Sequence, residues 1–234
     1  MFSSTLESPV LVIGSAHVVD LEAPLRRVIG PRVLDAIAVE LDAERAARLL
    51  SEEVEGTPRA ADAPLFLRLW SVLQQRLGSE IGGGIAGAEM KAAARIARER
   101  NVPILLIDDP IRETLARLLR SLSFRERVAL VLGAILGLLV PRRVVEHQID
   151  QYADSPTEYL ETMRQVYPGV TRVLLDERNE HMAERLSQIR HRGYGRVAAV
   201  VGDAHVPGLA TALRRRGVPV ETLRFGQLRA VRAP

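Results

Sequence analysis

VLVIGSAHV at Val10–Val18 and AAVVGDAHV at Ala198–Val206 are the two stretches on which the fold turns. They share Val12/Val200, Gly14/Gly202, Ala16/Ala204, His17/His205 and Val18/Val206. Each is a short continuous apolar run that ends in Gly-x-x-His and leads toward a helix, the pattern of a strand buried on both faces of a parallel sheet. Glycine is expected there to permit a sharp turn out of the strand. The histidine then projects from the strand's carboxyl end or from the first turn of the helix. Chance similarity of apolar strands accounts for the valines. The repeated Gly-x-x-His, in a chain with five histidines, reads as a shared functional role, with two structural caps as the alternative.

Three more short apolar runs read as strands: Asp35–Glu40 (DAIAVE), Ile104–Asp108 (ILLID) and Pro219–Leu223; the two stretches above contribute Pro9–Ile13 and Arg196–Val201. Helical patterns occupy Leu21–Val33, Asp42–Ser51, Leu65–Leu77, Ala86–Arg100, Pro110 to about Arg120, and Val206–Arg216. A long helical region continues to about Arg192, interrupted near Pro141, Ser155-Pro156 and Pro168-Gly169. Buried strands alternating with helices predict one α/β domain over residues 1–234. It has a largely parallel central sheet flanked by helices, with an α-helical insertion at about 120–190.

The 234 residues are 47% hydrophobic and 26% charged, which excludes disordered and fibrous classes. Cysteine is absent, which excludes disulfide scaffolds, thiolate metal sites and cysteine nucleophiles. Lys91 is the one lysine, and no Gly-Lys-Ser/Thr run provides a phosphate loop. Catalysis would therefore fall to histidine, carboxylates or hydroxyls. The net charge of +3 is concentrated after Thr211, where Arg214, Arg215, Arg216, Arg224, Arg229 and Arg232 oppose only Glu221. That reads as a solvated helix face and tail, with a weak contact to an anionic membrane as the alternative. Aromatic residues at 4% leave few stacking platforms, so no specific nucleic acid is expected as a partner.

Val128–Val140 (VALVLGAILGLLV) is too short for a membrane span, which needs about 20 residues. It reads as a buried core or interface helix, and a homodimer meeting through Leu122–Val140 is expected. The first ten residues lack the basic segment of a secretion signal, and a cytoplasmic placement is the simplest expectation.

Polar residues share the strand ends with the histidines. Glu40 ends one strand, Asp42 follows it, and Asp108 ends another, so acids and imidazoles are delivered to the carboxyl edge of the sheet, where ligands bind in open α/β folds. Glu89, opening the helix after a glycine run, could reach the same crevice. For Asp42 and Asp108, capping of the next helix is an equal alternative. Two imidazoles and two or three carboxylates form a nitrogen and oxygen donor set suited to Mn²⁺, Co²⁺, Fe²⁺ or Zn²⁺. A carboxylate left off the metal would act as general base. The same groups could also perform acid–base chemistry without a metal.

At these residues the chain resembles the TraB/PrgY family, related to the Tiki and GumN proteins. The matching stretches, in family order, are Gly14–Val18, Val39–Asp42 with Arg45, Gly87–Ala93, Leu106–Asp108 with Thr114, Leu115 and Arg117, Asp176–Asn179 with Met182, and Val201–Gly208. The resemblance implies a metal-dependent hydrolytic site of peptidase type, with Mn or Co favoured and Zn or Fe as alternatives. Tiki proteins are described as metal-dependent proteases and PrgY as limiting peptide pheromone activity, which implies a peptide or small-molecule substrate. Carried over by motif, His17, Glu40, Glu89 and His205 form the core, with His17, Glu89 and His205 catalytic. Asp42, Arg45, Lys91, Asp108, Arg117, Glu177, Arg178 and Asp203 support it, the arginines by anchoring a substrate carboxylate or by pairing with the acids. A non-catalytic protein that sequesters a peptide or small ligand is the rival reading.

Two departures stand out. Asp109-Pro110 replaces the arginine that usually follows Asp108 in the family, and Asp203 replaces a small residue, adding a ligand or hydrogen-bond acceptor. Glu146-His147 and Glu180-His181 lack the second histidine of H-E-x-x-H and read as helix-surface residues. Gly82–Gly87 matches G-x-G-x-x-G without a preceding buried strand and reads as a loop over the site.

Overall fold

A computed structural model describes residues 8–16, 21–50, 87–137 and 156–231. Strand β1 (Val10–Ser15) leads to α1 (Glu22–Ile29), β2 (Ala36–Val39), α2 (Ala43–Leu50), α3 (Ala88–Glu99) and β3 (Ile104–Leu106). Helices α4 (Ile111–Ser121), α5 (Phe124–Gly137), α6 (Pro156–Val166) and α7 (Pro168–Thr171) follow. A π-helical stretch, Arg172–Glu177, then runs into α8 (Arg178–His191). The chain continues through β4 (Val197–Gly202), a 3₁₀ turn (Asp203–His205), α9 (Val206–Arg215), β5 (Val220–Leu223) and α10 (Phe225–Ala230). All five strands are parallel, in the order β3-β2-β4-β1-β5.

The two stretches that echo each other in sequence are neighbours at the centre of this sheet. Ile13 sits beside Val200 and Ser15 beside Gly202, and the Ser15 hydroxyl donates to the Val201 carbonyl at 3.0 Å. Both strands are buried along their whole length. Leu11, Ile13, Ile37, Val39, Ala198 and Val200 meet α1, α2, α3 and α10 on one face. Val10, Val12, Ala38, Val197, Ala199 and Val201 meet α8 and α9 on the other. Each fully buried Val, Leu or Ile contributes about 1.5–3 kcal/mol. This two-sided burial explains why the strands show no polar alternation.

Period-two alternation still decides where the acids point. Ala38 belongs to the α8–α9 face and Leu41 to the other. Glu40, two residues after Ala38, therefore leaves the strand end toward α8 and α9. The glycines at the strand ends have a different reason from the one expected. Gly202 has φ −58°, so the turn demands no left-handed backbone. At Gly14 a Cβ would collide with the Asp203 carboxylate, so close approach of the two stretches is what requires glycine.

Every described element between β3 and β4 is helical, and the insertion begins at Ile111, earlier than 120. Glu126 organises part of it. Its carboxylate accepts from Ser123 N at 2.9 Å, from Ser123 Oγ at 2.7 Å and, across the chain, from Gly169 N at 2.7 Å, tying α5 to α7. Of the expected buried core or interface helix, the core alternative is not met by the described side chains of α5. Phe124, Val128 and Leu132, one turn apart on one stripe, are 80%, 42% and 54% exposed. Among the described residues no helix is long and apolar enough to cross a membrane.

Helix α10 was not expected. Its start is fixed by Arg224 N donating to Gln227 Oε1 at 2.8 Å, and Phe225 and Leu228 are buried. The expected helix at Leu65–Leu77 and most of Gly82–Gly87 lie outside the described residues. Gly87 itself adopts φ +88° at the start of α3.

Candidate functional site

Three acids at strand ends converge on two arginines. Arg178, the first residue of α8, inserts its guanidinium between Glu40 and Asp108. Nη2 donates to Glu40 Oε1 and to Asp108 Oδ2, the latter at 2.6 Å, and Nε donates to Asp108 Oδ1 at 3.0 Å. The π-helical stretch just before it joins α7 to α8 without a break, and such distortions often mark functional positions. Arg45 donates from Nε to Asp42 Oδ2 at 2.7 Å and from Nη2 to Asp108. Asp42 also accepts from Arg45 N at 2.8 Å and from Ile111 N at 3.1 Å. Asp42 therefore caps α2, one of the two roles expected of it. Asp108 caps nothing and joins the two arginines.

His205 closes the cluster. Its Nδ1 lies 2.9 Å from Asn179 Oδ1, an oxygen that can only accept, so Nδ1 carries the proton and donates. Nε2 then presents its lone pair, 3.1 Å from Arg178 Nη1 and 3.4 Å from Glu40 Oε1. The histidine side chain is only 5% exposed. Sequence reasoning carried Asn179 within a motif without giving it a role. Gly208 provides room for it, because a Cβ on α9 would collide with the Asn179 amide.

Electrostatics follow from burial and partners. Burial opposes ionisation of Glu40, but attraction to His205 in its imidazolium form, attraction to Arg178 and the Gly202 N–H, donating at 2.6 Å, outweigh it. The Glu40 carboxyl is held well below the usual carboxylate range. A carboxylate so firmly ionised is a poor proton acceptor near neutrality and a good electrostatic anchor. Burial likewise opposes ionisation of Asp42, Asp35 and Glu126, and hydrogen bonds from Arg45, Arg196 and Ser123 respectively lead the interactions that lower all three. For groups whose folded pKa lies below the unfolded value, the stability contribution is present above the unfolded value and disappears as pH falls through the folded one. Thermal stability is therefore expected to stay level from about pH 8 to 5 and to fall below about pH 4. Calorimetry across that range checks this, and a level midpoint down to pH 3 would contradict it.

Other candidate residues sit apart from this cluster. Asp203 accepts from Arg224 Nε at 3.0 Å, Arg224 Nη2 at 2.6 Å and Phe225 N at 2.6 Å, so it locks α10 onto the turn after β4. Arg224, read as part of a solvated face, is thus a structural residue. Glu89 is fully buried in the first turn of α3, a helix whose apolar residues pack on the face of the sheet opposite α8 and α9. Lys91, two residues along the same helix, donates its backbone N–H to the Gly87 carbonyl at 3.0 Å. Arg117 pairs with Asp109 at 2.5 Å, and its Nε lies 3.4 Å from Glu177 Oε2. His17 lies outside the described residues.

His181, expected as an ordinary helix-surface residue, is 31% exposed at its side chain and has a partner. Its Nδ1 is 2.9 Å from Asp109 Oδ1. The signal that could have found it is helical spacing, since His181 stands three residues after Arg178 just as Asp109 stands beside Asp108.

As a metal centre, the cluster fits in donor chemistry. His205 Nε2 and Glu40 Oε1 are a nitrogen and oxygen pair 3.4 Å apart, both in contact with the Arg178 guanidinium, and Asn179 orients the imidazole as outer-shell partners do. Among the described residues no three such donors form a group that could hold a metal.

This arrangement defines an α/β protein with an acid–imidazole–arginine cluster at the carboxyl edge of a parallel sheet. The profile of the TraB/PrgY/gumN family matches residues 4–222, and the chain belongs to that family. It is 28% identical over 223 residues to the uncharacterized protein MJ1365 of Methanocaldococcus jannaschii, an alignment covering 92% of this chain and 56% of that protein. The chain thus spans little more than half the length of this curated relative.

Proposed function

We propose that the chain is a metal-dependent hydrolase acting on peptides or similar small amides. The observation that carries this reading is the meeting of Glu40, Asp108 and His205 around Arg178 where parallel strands end. Glu40 and His205, joined by His17, would hold a divalent ion, with Mn or Co favoured. Bound there, the ion would lower the pKa of a water and polarise a carbonyl. Asn179 keeps the His205 Nε2 lone pair available. Arg45 and Arg178 hold the acids in place. Glu89, in the first turn of α3, is the carboxylate assigned to take the proton from water.

A second reading has its own support. The Arg178 guanidinium already fills the space between Glu40 and His205 with a positive charge, which suits a protein that binds and sequesters a peptide without cleaving it. Metal analysis of protein purified without chelator, followed by assay of a peptide library with added Mn²⁺ or Co²⁺, separates the two. Retained metal and turnover are expected. Peptide binding with neither metal nor turnover would establish the second reading.

We also propose a homodimer packed through the exposed Phe124, Val128 and Leu132 stripe. Light scattering at micromolar concentration should give twice the chain mass and fall to one for Leu132→Glu; a wild-type monomer would refute it.

A further inference from the structure

We infer that His181 is a second catalytic residue of the proposed hydrolase, the proton donor to the leaving nitrogen, with Asp109 as its positioning residue. This rests on the hydrolase reading and adds a step to it. Asp109 departs from the residue type expected at its position, and both of its oxygens are engaged. Oδ2 takes Arg117 Nη2 at 2.5 Å and Oδ1 takes His181 Nδ1 at 2.9 Å. The Asp109 side chain is 11% exposed and that of His181 31%. A carboxylate bonded at Nδ1 fixes the ring's orientation and leaves Nε2 as the nitrogen turned away from Asp109.

Nε2 is shielded from solvent and hydrogen-bonds nothing in the structure. Buried polar atoms without partners are rare, and each calls for a reason. A partner that arrives with the substrate supplies one. Arg117 Nε, on the other side chain held by Asp109, is likewise buried without a hydrogen bond, its ion-pair contact to Glu177 being 3.4 Å long. Two of the unsatisfied nitrogens among the described residues thus flank one aspartate.

Placement puts this pair beside the main cluster. Arg178 and His181 are neighbours on the surface of α8, about 5–6 Å apart at Cβ for that spacing, and their acids Asp108 and Asp109 are consecutive. His181 meets Asp109 from the segment after β3; Asp109 also pairs with Arg117 from α4, which lies 3.4 Å from Glu177 of the π-helical stretch, and Arg178 from α8 pairs with the adjacent Asp108.

In the step, water gives a proton to Glu89 and its oxygen adds to the carbonyl carbon. The carbon–nitrogen bond then breaks, its electron pair stays on nitrogen, and that nitrogen takes the proton from His181 Nε2. His181 is left neutral, with its Nδ1–H still donated to Asp109; Glu89 then gives its proton to solvent and His181 takes one up once the products have left.

A proton donor matters when the leaving group is basic. The test compares kcat for a peptide amide with kcat for the nitrophenyl ester of the same acyl group, in wild type, His181→Gln and Asp109→Asn. His181→Gln is expected to lose about a hundredfold on the amide and only a few-fold on the ester. Asp109→Asn should show the same selectivity to a smaller extent. Equal losses on both substrates, or none on the amide, would overturn the assignment while leaving the hydrolase reading intact. A wild-type protein that cleaves neither substrate would overturn both.

Discussion

Replacing Arg178 by methionine is expected to lower stability by about 3–5 kcal/mol, the cost of breaking a buried ion pair from one side. Methionine keeps most of the volume and removes the charge. Glu40, 6% exposed at its side chain, and Asp108, 1% exposed, would then face each other across an apolar side chain. Neither carboxylate can reach water without disturbing β2 or the segment after β3. Arg178→Lys should lose less, although one ammonium cannot reproduce a fork that reaches Glu40, Asp108 and His205 together. The difference between Arg178→Met and wild type should shrink as pH falls below about 4, where unpaired carboxylates take up protons. Urea unfolding at pH 7 and pH 4 reads both effects. A loss under 1 kcal/mol at pH 7 would place the cluster with exposed ion pairs and contradict the burial described.

Gly208→Ala is expected to lower stability by about 1–3 kcal/mol, the usual penalty for overpacking. The added Cβ meets the Asn179 amide head-on, with the Cγ behind it at 3.0 Å. Asn179 cannot retreat cheaply because its Oδ1 holds His205 Nδ1 at 2.9 Å. The clash and the loss of the imidazole's orientation are therefore one event. Asn179→Ala in the Gly208→Ala background should recover the packing part, leaving a favourable interaction energy of about 1 kcal/mol or more in the double-mutant cycle. Simple additivity would mean that the two residues do not touch as described.

The fold was legible because strands buried on both faces announce themselves as short apolar runs. Each of the five lies within two residues of its expected bounds. The strand-end acids were legible for the same reason, since Glu40 and Asp108 close such runs. What the sequence hid depends on partners far along the chain. Asp203 looked like an addition to the site, and it belongs to Arg224 and α10. His181 read as an ordinary helix-surface residue because only the fold brings Asp109 to it. The run Val128–Val140 read as a core or interface helix, since an apolar run does not reveal which of its faces has a neighbour.

The most direct measurement is peptide hydrolysis by chelator-treated protein to which Mn²⁺ is restored, with Glu40→Gln and His205→Gln alongside. Metal-dependent turnover by the wild type is predicted, falling at least about a hundredfold in both variants while their far-ultraviolet spectra stay unchanged. Turnover that persists in folded Glu40→Gln and His205→Gln, or no turnover by the wild type with any divalent ion, would contradict it.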